Sequence, residues 1–221
     1  LEKGSQLALE TYLLGQVVSS LLIVREKEPL HATVVSRGRK AVAFLGDSGF
    51  GKTTLASYLL NHGFRLITDD LLVMTRASTG YLAHHGVPRV KLYPDSAAIF
   101  GRDSARGEMN PFTRKCVFDI DPLLFDPEDV PLQAFFSIVP AAPSDLDDIR
   151  IRRLTPREAF ESLSANCYNP VHSDVQRLSR HFEIVPLIAR ECQMFSLQYP
   201  RRFDVFPALL TAINERLAEG I

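Results

Sequence analysis

Apolar residues recur along this chain with a period near four in some segments and near two in others. Leu9, Leu13, Val17 and Leu21 stand four apart, which predicts a first helix with a buried stripe. The run "TYLLGQVVSSLLIV", Thr11 to Val24, is 14 residues long and is interrupted by Gly15, Gln16, Ser19 and Ser20. A bilayer span needs ~20 mostly apolar residues, so the run reads as a core helix feeding a strand. It lacks the basic flank and small-residue cleavage site of a signal peptide. The chain opens on Leu1 rather than Met, which leaves room for a preceding segment. "LHATVVSRGRKAVAFLG" then reads as two short strands around the turn "SRGR". Thr53 to His62 predicts a helix with Leu55, Leu59 and Leu60 inward and Gly63 as its stop. "FRLIT" and "LLVMTR" are strands on either side of Asp69 and Asp70.

From His84 to Arg114 the chain is rich in Gly, Pro, Asp and Arg, with a short helix at Ser96 to Gly101. Gly101 to Lys115 reads as a long polar loop. "CVFDI", "QAFFSIVPA" and "DIRIRRL" are further strands, followed by helices at Pro156–Ala165 and Ser173–Ala189, the second with a break at Pro186. "MFSLQYP" precedes a closing helix with the stripe Phe206, Leu209, Leu210, Ile213 and Leu217. Strands and helices mix without strict βαβ alternation, which predicts an α/β fold with a mixed β-sheet flanked by helices. At 221 residues one domain is expected: an N-terminal helix and strand over 1–30, a core over 31–76, and the rest of the sheet and helices over 77–221.

Hydrophobic residues make up 46% and charged residues 23%, as in ordinary globular proteins, and the net charge is −1. No global field draws in nucleic acid or an anionic membrane, so neither is an expected partner. Cys116, Cys167 and Cys192 are widely spaced and form no CxxC pair. They suggest neither a disulfide framework nor a zinc knuckle, and a reducing, cytoplasmic setting is the default.

The chemistry concentrates in "FLGDSGFGKTTLASYLLNHGFRLITDD". Gly46-Asp47-Ser48-Gly49-Phe50-Gly51-Lys52-Thr53 fits G-x-x-x-x-G-K-[ST] and lies between an apolar strand and a helix, as a phosphate-binding P-loop requires. Its glycines let backbone N–H groups turn toward phosphate oxygens, and the helix N-terminus adds partial positive charge. With Thr54 these residues would hold ATP, Phe50 being an allowed variable position. Lys52 would reach the β- and γ-phosphates, and the Thr53 hydroxyl would ligate Mg²⁺. Asp69 and Asp70 end the next strand, where ligand-facing residues of α/β sheets collect. One carboxylate near the metal can hold Mg²⁺, and the other can accept a hydroxyl proton. Strand neighbours point to opposite faces, so the two should not share one task. The plain alternative is a turn cap. Spacing alone assigns nothing to His31.

From "LHATVV" through "LITDD" the chain closely resembles the catalytic domain of the HPr kinase/phosphorylase family. That family shows a histidine before a strand, a GxSGxGKS/T loop, a helix ending in Gly and a strand ending in Asp-Asp. His31, Gly46 to Thr53, Asp69 and Asp70 align with it without insertion. The resemblance implies that Asp70 is the general base, polarised or relayed by His31, with Asp69 near the metal. "GVPRVKLYPDSAAIFG" and "MFSLQYPRRFDVFPALLTAI" look like the HPr-kinase-like branch that includes lasso-peptide kinases. The glycine-rich signature with a metal-binding glutamate that follows the Asp-Asp strand in true HPr kinases is missing, and Asp95 is the nearest substitute. The family's N-terminal domain has no counterpart in these residues. A diverged substrate is therefore implied in place of HPr, and the resemblance leaves the reverse phosphorolysis unassigned. PEP carboxykinases share a similar loop followed by Asp-Asp, but their metal-binding Lys and His have no evident counterpart, so they are fold relatives.

The expectation is an ATP- and Mg²⁺-dependent kinase acting on a Ser or Thr hydroxyl of a peptide or protein. Its rivals are a small-molecule kinase and a nucleotide-binding regulatory module. A homo-oligomer is compatible with each. Arg102, Arg106, Arg114 and Lys115 are candidates to steady the transferring phosphate, or ordinary loop charges. Arg150 and Arg152 share a strand face that reads as the solvated side of an edge strand. His84 and His85 lack a metal-spaced partner and receive no role.

Overall fold

The computed structural model describes residues 3–102, 108–140, 148–169 and 174–218. An N-terminal helix runs as α1 (Lys3–Tyr12), a π-helical turn (Leu13–Val17) and α2 (Val18–Val24). The hairpin β1 (Leu30–Arg37) and β2 (Lys40–Leu45) leads into α3 (Lys52–Leu60). Four short strands follow, β3 (Arg65–Thr68), β4 (Leu71–Leu72), β5 (Met74–Arg76) and β6 (Tyr81–Ala83). Next come β7 (Arg89–Leu92), α4 (Pro94–Ile99), β8 (Glu108–Met109) and β9 (Cys116–Asp119). The chain closes through β10 (Val130–Ile138), β11 (Arg150–Arg153), α5 (Pro156–Ala165), α6 (Val175–Glu191), β12 (Gln193–Gln198) and α7 (Phe206–Ala218).

Among the described residues nine strands join one mixed sheet with the spine β11-β12-β10-β2-β1-β3. β10 runs parallel to β2 and β12, while the β1–β2, β1–β3 and β11–β12 pairs are antiparallel. β7, β9 and β8 form a separate antiparallel sheet. The expected mixed α/β architecture is therefore present.

Side chains alternate across a strand, so the two faces of the sheet carry two cores. Val42, Phe44 and Phe136 pack with Leu55 and Leu59 of α3 and Leu209 of α7. Ala43, Leu45 and Phe135 pack with Leu163 of α5 and Ile188 of α6. Covered on both faces, β2 buries every residue after Lys40. The register sets Phe136 opposite both Phe44 and Phe195, with ring centroids 6.0 and 5.2 Å apart. This aromatic row crosses three central strands beneath the end of β2, which delivers Gly46.

The N-terminal helix departs from expectation. Leu9, Leu13 and Leu21 are exposed, and the buried positions are Leu7, Ser19 and Ile23. Leu9 precedes the π-helical turn and is already exposed, so the stripe faces outward from its start: four-residue spacing marks one apolar face without fixing which side of the helix meets the core. Gln6–Val24 is one helix, long and apolar enough by composition to cross a membrane and only 17% buried, rather than a core helix. It is tied down where Asn110 Nδ2 donates to Thr11 Oγ1 at 3.2 Å and Asn169 Nδ2 donates to Ser19 Oγ at 2.6 Å.

Other differences are local. "LLVMTR" divides at Val73 into β4 and β5, while β6 and β7 arise in a Gly- and Pro-rich stretch that carries little periodicity. Glu108–Met109 pairs with β9 inside the expected long loop, whose residues 103–107 lie outside the described residues. α6 runs through Pro186 without a break; Asp174 caps its N-terminus, and Ser173 lies outside the described residues. α3 ends at Leu60, shortly before Gly63, whose φ of +84° turns the chain away while the Phe64 N–H returns to the Leu59 carbonyl at 3.2 Å. In the closing helix Phe206, Leu209 and Ile213 are buried, with Leu210 and Leu217 packed against them. β11 is an edge strand, and Arg152 reaches Glu158 of α5 through two bonds of 2.9 and 2.8 Å. The three cysteines are unpaired thiols.

Urea unfolding checks the placement of these faces. Phe136→Ala should lose ~3–5 kcal/mol, whereas Leu21→Gln should stay within ~0.5 kcal/mol of the parent. A loss of ~2 kcal/mol or more in Leu21→Gln would return the helix to the core.

Candidate active site

The site begins where β2 ends. Gly46 N–H donates to Asn166 Oδ1 at 2.9 Å, and Asn166 Nδ2 donates to the Ser162 carbonyl at 2.8 Å, so the end of α5 holds the start of the loop. Gly49 and Gly51 have φ of +87° and +93°, a conformation that glycine adopts without strain. Gly51 is the N-cap of α3, whose first amides lack intrahelical partners and carry partial positive charge. Lys52 is buried, and its Nζ donates to the carbonyls of Gly46 at 2.5 Å and Asp47 at 3.2 Å. Burial lowers its pKa to about 8, against the raising pull of Asp70 and Asp69.

Ser48, Gly49, Gly51, Lys52, Thr53 and Thr54 line a cavity of about 130 Å³, joined by His31, Asp70, Lys91 and Lys115. Gly46 is buried beneath it and Asp47 faces solvent. Phe50 instead lines a neighbouring cavity of about 180 Å³ with Tyr199, Arg201, Phe203 and Phe206.

The two aspartates lie just beyond β3 and take separate partners. Asp69 Oδ1 accepts from Thr33 Oγ1 at 2.7 Å and Thr53 Oγ1 at 2.9 Å, and Oδ2 accepts from Lys91 N–H at 3.1 Å. Asp70 has φ of +77°, and its Oδ2 pairs with Lys91 Nζ. Burial and the adjacent Asp70 charge push the Asp69 carboxyl up to about 6. Burial pushes Asp70 the same way, but the charge and hydrogen bond of Lys91 outweigh it and hold the carboxyl below its ordinary value. Thr53 hydroxyl and Asp69 carboxylate offer adjacent hard oxygens at a helix N-terminus, a donor set that suits Mg²⁺.

His31 sits opposite Leu71 in the β1–β4 ladder. Burial, then the charge of Lys52, lower its pKa to about 4, so the ring is neutral near pH 7. Its Nδ1 is 3.4 Å from the Tyr168 hydroxyl, and among the described residues no hydrogen bond joins it to Asp70.

Several residues of this site went unassigned in the sequence. Lys91 touches both aspartates, and the alternation of buried Val90 and Leu92 around it in β7 was the available signal. Asn166 and Tyr168 had none, because they arrive from the end of distant α5 and the segment that follows it. Gly86 is required by close approach: its N–H donates to the Ile67 carbonyl at 2.9 Å, and a Cβ there would stand 2.2 Å from Thr68 Oγ1. Of the loop cations, Lys115 reaches the cavity, whereas Arg102 lies over the Phe118 ring at 5.8 Å. Arg114 does not line the cavity, and Arg106 lies outside the described residues. Asp95 is exposed and off the cavity, which removes it as a substitute metal ligand. His84 bonds Asp129 at 2.8 Å and Thr75 at 3.0 Å, and both His84 and His85 line a further cavity beside Asp70. A larger cavity of about 410 Å³ opens at the far end of the hairpin. Its charges are already engaged there, Arg39 with Glu128 and Asp126 with Ser36.

No protein-family model matches the chain, and no curated protein matches it. Among solved structures it is similar to the Hpr(Ser) kinase/phosphatase from Coxiella burnetii at 12% identity and a TM-score of 0.43, over 86% of this chain and 97% of that one. A likeness of that size carries no weight for the chemistry, which rests on the geometry above.

Lys91→Met should raise the Asp70 pKa, because the cation that favours its ionised form is gone. Carboxyl ¹³C shifts followed against pH would show it. An unmoved titration would remove Lys91 as the holding charge.

Proposed function

We propose that this chain is an ATP- and Mg²⁺-dependent kinase that transfers the γ-phosphoryl group to a hydroxyl. One observation carries the reading: Thr53, Asp69, Lys91 and Asp70 form a continuous chain of hydrogen bonds and charge beside a glycine loop that opens a helix. A turn cap alone has no use for a half-buried lysine and a threonine hydroxyl on the same carboxylates. The resemblance of His31 to Asp70 to HPr kinases supports the same reading.

In this scheme the α3 amides and Lys52 hold the phosphates, Lys52 exchanging its loop carbonyls for phosphate oxygens. Mg²⁺ held by Thr53 and Asp69 would neutralise charge on the phosphates. The nucleoside end is assigned to the neighbouring cavity, where Phe50, Phe203 and Tyr199 offer apolar faces. Lys115 faces the transferring group. The acceptor oxygen bonds to the γ-phosphorus as the bond to the ADP oxygen breaks, ADP leaving with the electron pair. The hydroxyl proton passes to Asp70 Oδ1, which has no hydrogen-bond partner among the described residues. A loose transition state asks little basicity of that carboxylate, so its lowered pKa is compatible with orienting the hydroxyl and taking the proton late. His31, neutral and beside Asp70, tunes the base. A peptide or protein Ser or Thr is the proposed acceptor. A mostly apolar cavity of about 240 Å³ on the other side of Asp70 favours a small-molecule hydroxyl as the second reading. The cytoplasm is the proposed place of work, with three unpaired thiols consistent with it.

Lys52→Ala should abolish transfer and weaken ATP binding in calorimetry, since phosphate charge loses its partner. Asp70→Asn keeps the size of Asp but cannot take a proton. It should leave ATP affinity within a few fold and cut transfer by roughly 10²–10⁴, or ~3–5 kcal/mol of barrier. Asp69→Asn should raise the Mg²⁺ requirement instead. If both aspartate variants transfer phosphate normally, the pair is a turn cap and the kinase reading fails.

A further inference from the structure

A second cavity, of about 240 Å³, lies between the N-terminal helix and the His84–Val87 segment. Asp70 and Lys91 are the two residues that line both this cavity and the one at the glycine loop. In-line transfer needs its nucleophile opposite the leaving oxygen, with the base on the nucleophile's side. A carboxylate shared by two chambers meets that requirement if nucleotide phosphates fill one and the acceptor fills the other.

Resting on the kinase reading, we infer that the second cavity is the acceptor site and takes one hydroxyl on a compact aliphatic body. Leu14, Val18 and Leu22 of the helix face Val73 and Val87 across it. Ligand sites of drug-sized molecules are ~300–1,000 Å³, so this one fits a single side chain or a small alcohol. Of its charged and titratable lining residues, Arg89 is engaged with Glu10 at 3.6 Å, Lys91 with Asp70, Asp69 with Thr33, Thr53 and the Lys91 amide, and His84 with Asp129, while His85 is exposed to solvent, leaving a charged acceptor body poorly matched. Gly15 completes the wall from the π-helical turn, and a Cβ added there would meet nothing within 4 Å. The helix therefore sets acceptor choice while contributing nothing to the phosphate chamber. The hydroxyl could come from a Ser or Thr side chain with apolar neighbours or from a free alcohol, and the chemistry recognised is the same.

The test uses the whole chain, labelled ATP and three probes: N-acetyl-Leu-Ser-Leu-amide, N-acetyl-Glu-Ser-Glu-amide and 1-butanol. Wild type should phosphorylate the leucine peptide or the butanol with kcat/KM at least about tenfold above the glutamate peptide. Which of the two wins identifies the source. Gly15→Phe fills the cavity and should lose about tenfold or more of that kcat/KM, with ATP affinity in calorimetry and urea midpoint unchanged. Gly15→Ala, adding one methyl, guards against misfolding and should lose less. Preference for the glutamate peptide, transfer to none of the probes despite Mg²⁺-dependent ATP binding, or full activity in Gly15→Phe would overturn the inference. Absence of Mg²⁺-dependent ATP binding in wild type would instead sink the kinase reading itself.

Discussion

The Asp69 carboxylate is the point on which the rest of the molecule is hung. Its oxygens accept from Thr33 on β1, Thr53 on α3 and the main chain of Lys91 on β7. Three donors offset part of the desolvation of a charge that burial and the neighbouring Asp70 disfavour. Because one of them is a backbone amide of the small sheet, the same carboxylate docks that sheet onto the large one. Lys91 then turns its ammonium to Asp70, so assembly of the two sheets and orientation of the candidate base share one set of bonds. Disturbing either disturbs both.

A second buried cluster serves the far wall. Glu28 and Arg177 are 3% and 6% exposed and paired at 3.1 Å, and Arg180 reaches the same carboxylate at 3.4 Å. Arg177 also donates to the carbonyls of Tyr168 at 2.7 Å and Asn169 at 2.5 Å, fixing the segment that meets His31 and the N-terminal helix. Glu28, Cys167 and His181 bring ligand-type atoms within 4.8 Å of one another. The carboxylate is already committed to two arginines, and burial pushes the Cys167 thiol up to about 12. The arrangement is packing rather than a metal centre. Losing Arg177 would strand a buried charge, which typically costs ~3–5 kcal/mol.

The parts legible in the sequence were those whose signal is local. The hairpin, α3 with its glycine stop, and α5 are governed by turn residues, apolar spacing and caps within a few positions. The loop and the aspartate pair were legible because their residues are consecutive. The N-terminal stripe misled because periodicity identifies an apolar face but not whether the core or solvent lies against it, and here Leu9, Leu13 and Leu21 are exposed both before and after the π-helical turn. Asn166, Tyr168 and Gly86 were hidden for a different reason. Each acts through a partner brought near by strand order, and pairwise contacts of that kind leave no periodic trace.

The edge strand β11 carries its own consequence. A sheet edge presents unpaired amides and carbonyls that a second chain can extend into a fibril-like stack. Arg150, Arg152 and Arg153 place bulk and like charge along that edge, and two copies approaching edge to edge would meet mutual repulsion. Arg152 is held outward by Glu158, itself locked in the capping box of α5, so the guard is fixed rather than waving in solvent. Colloidal stability at this end of the molecule is thus written into the first turn of a neighbouring helix.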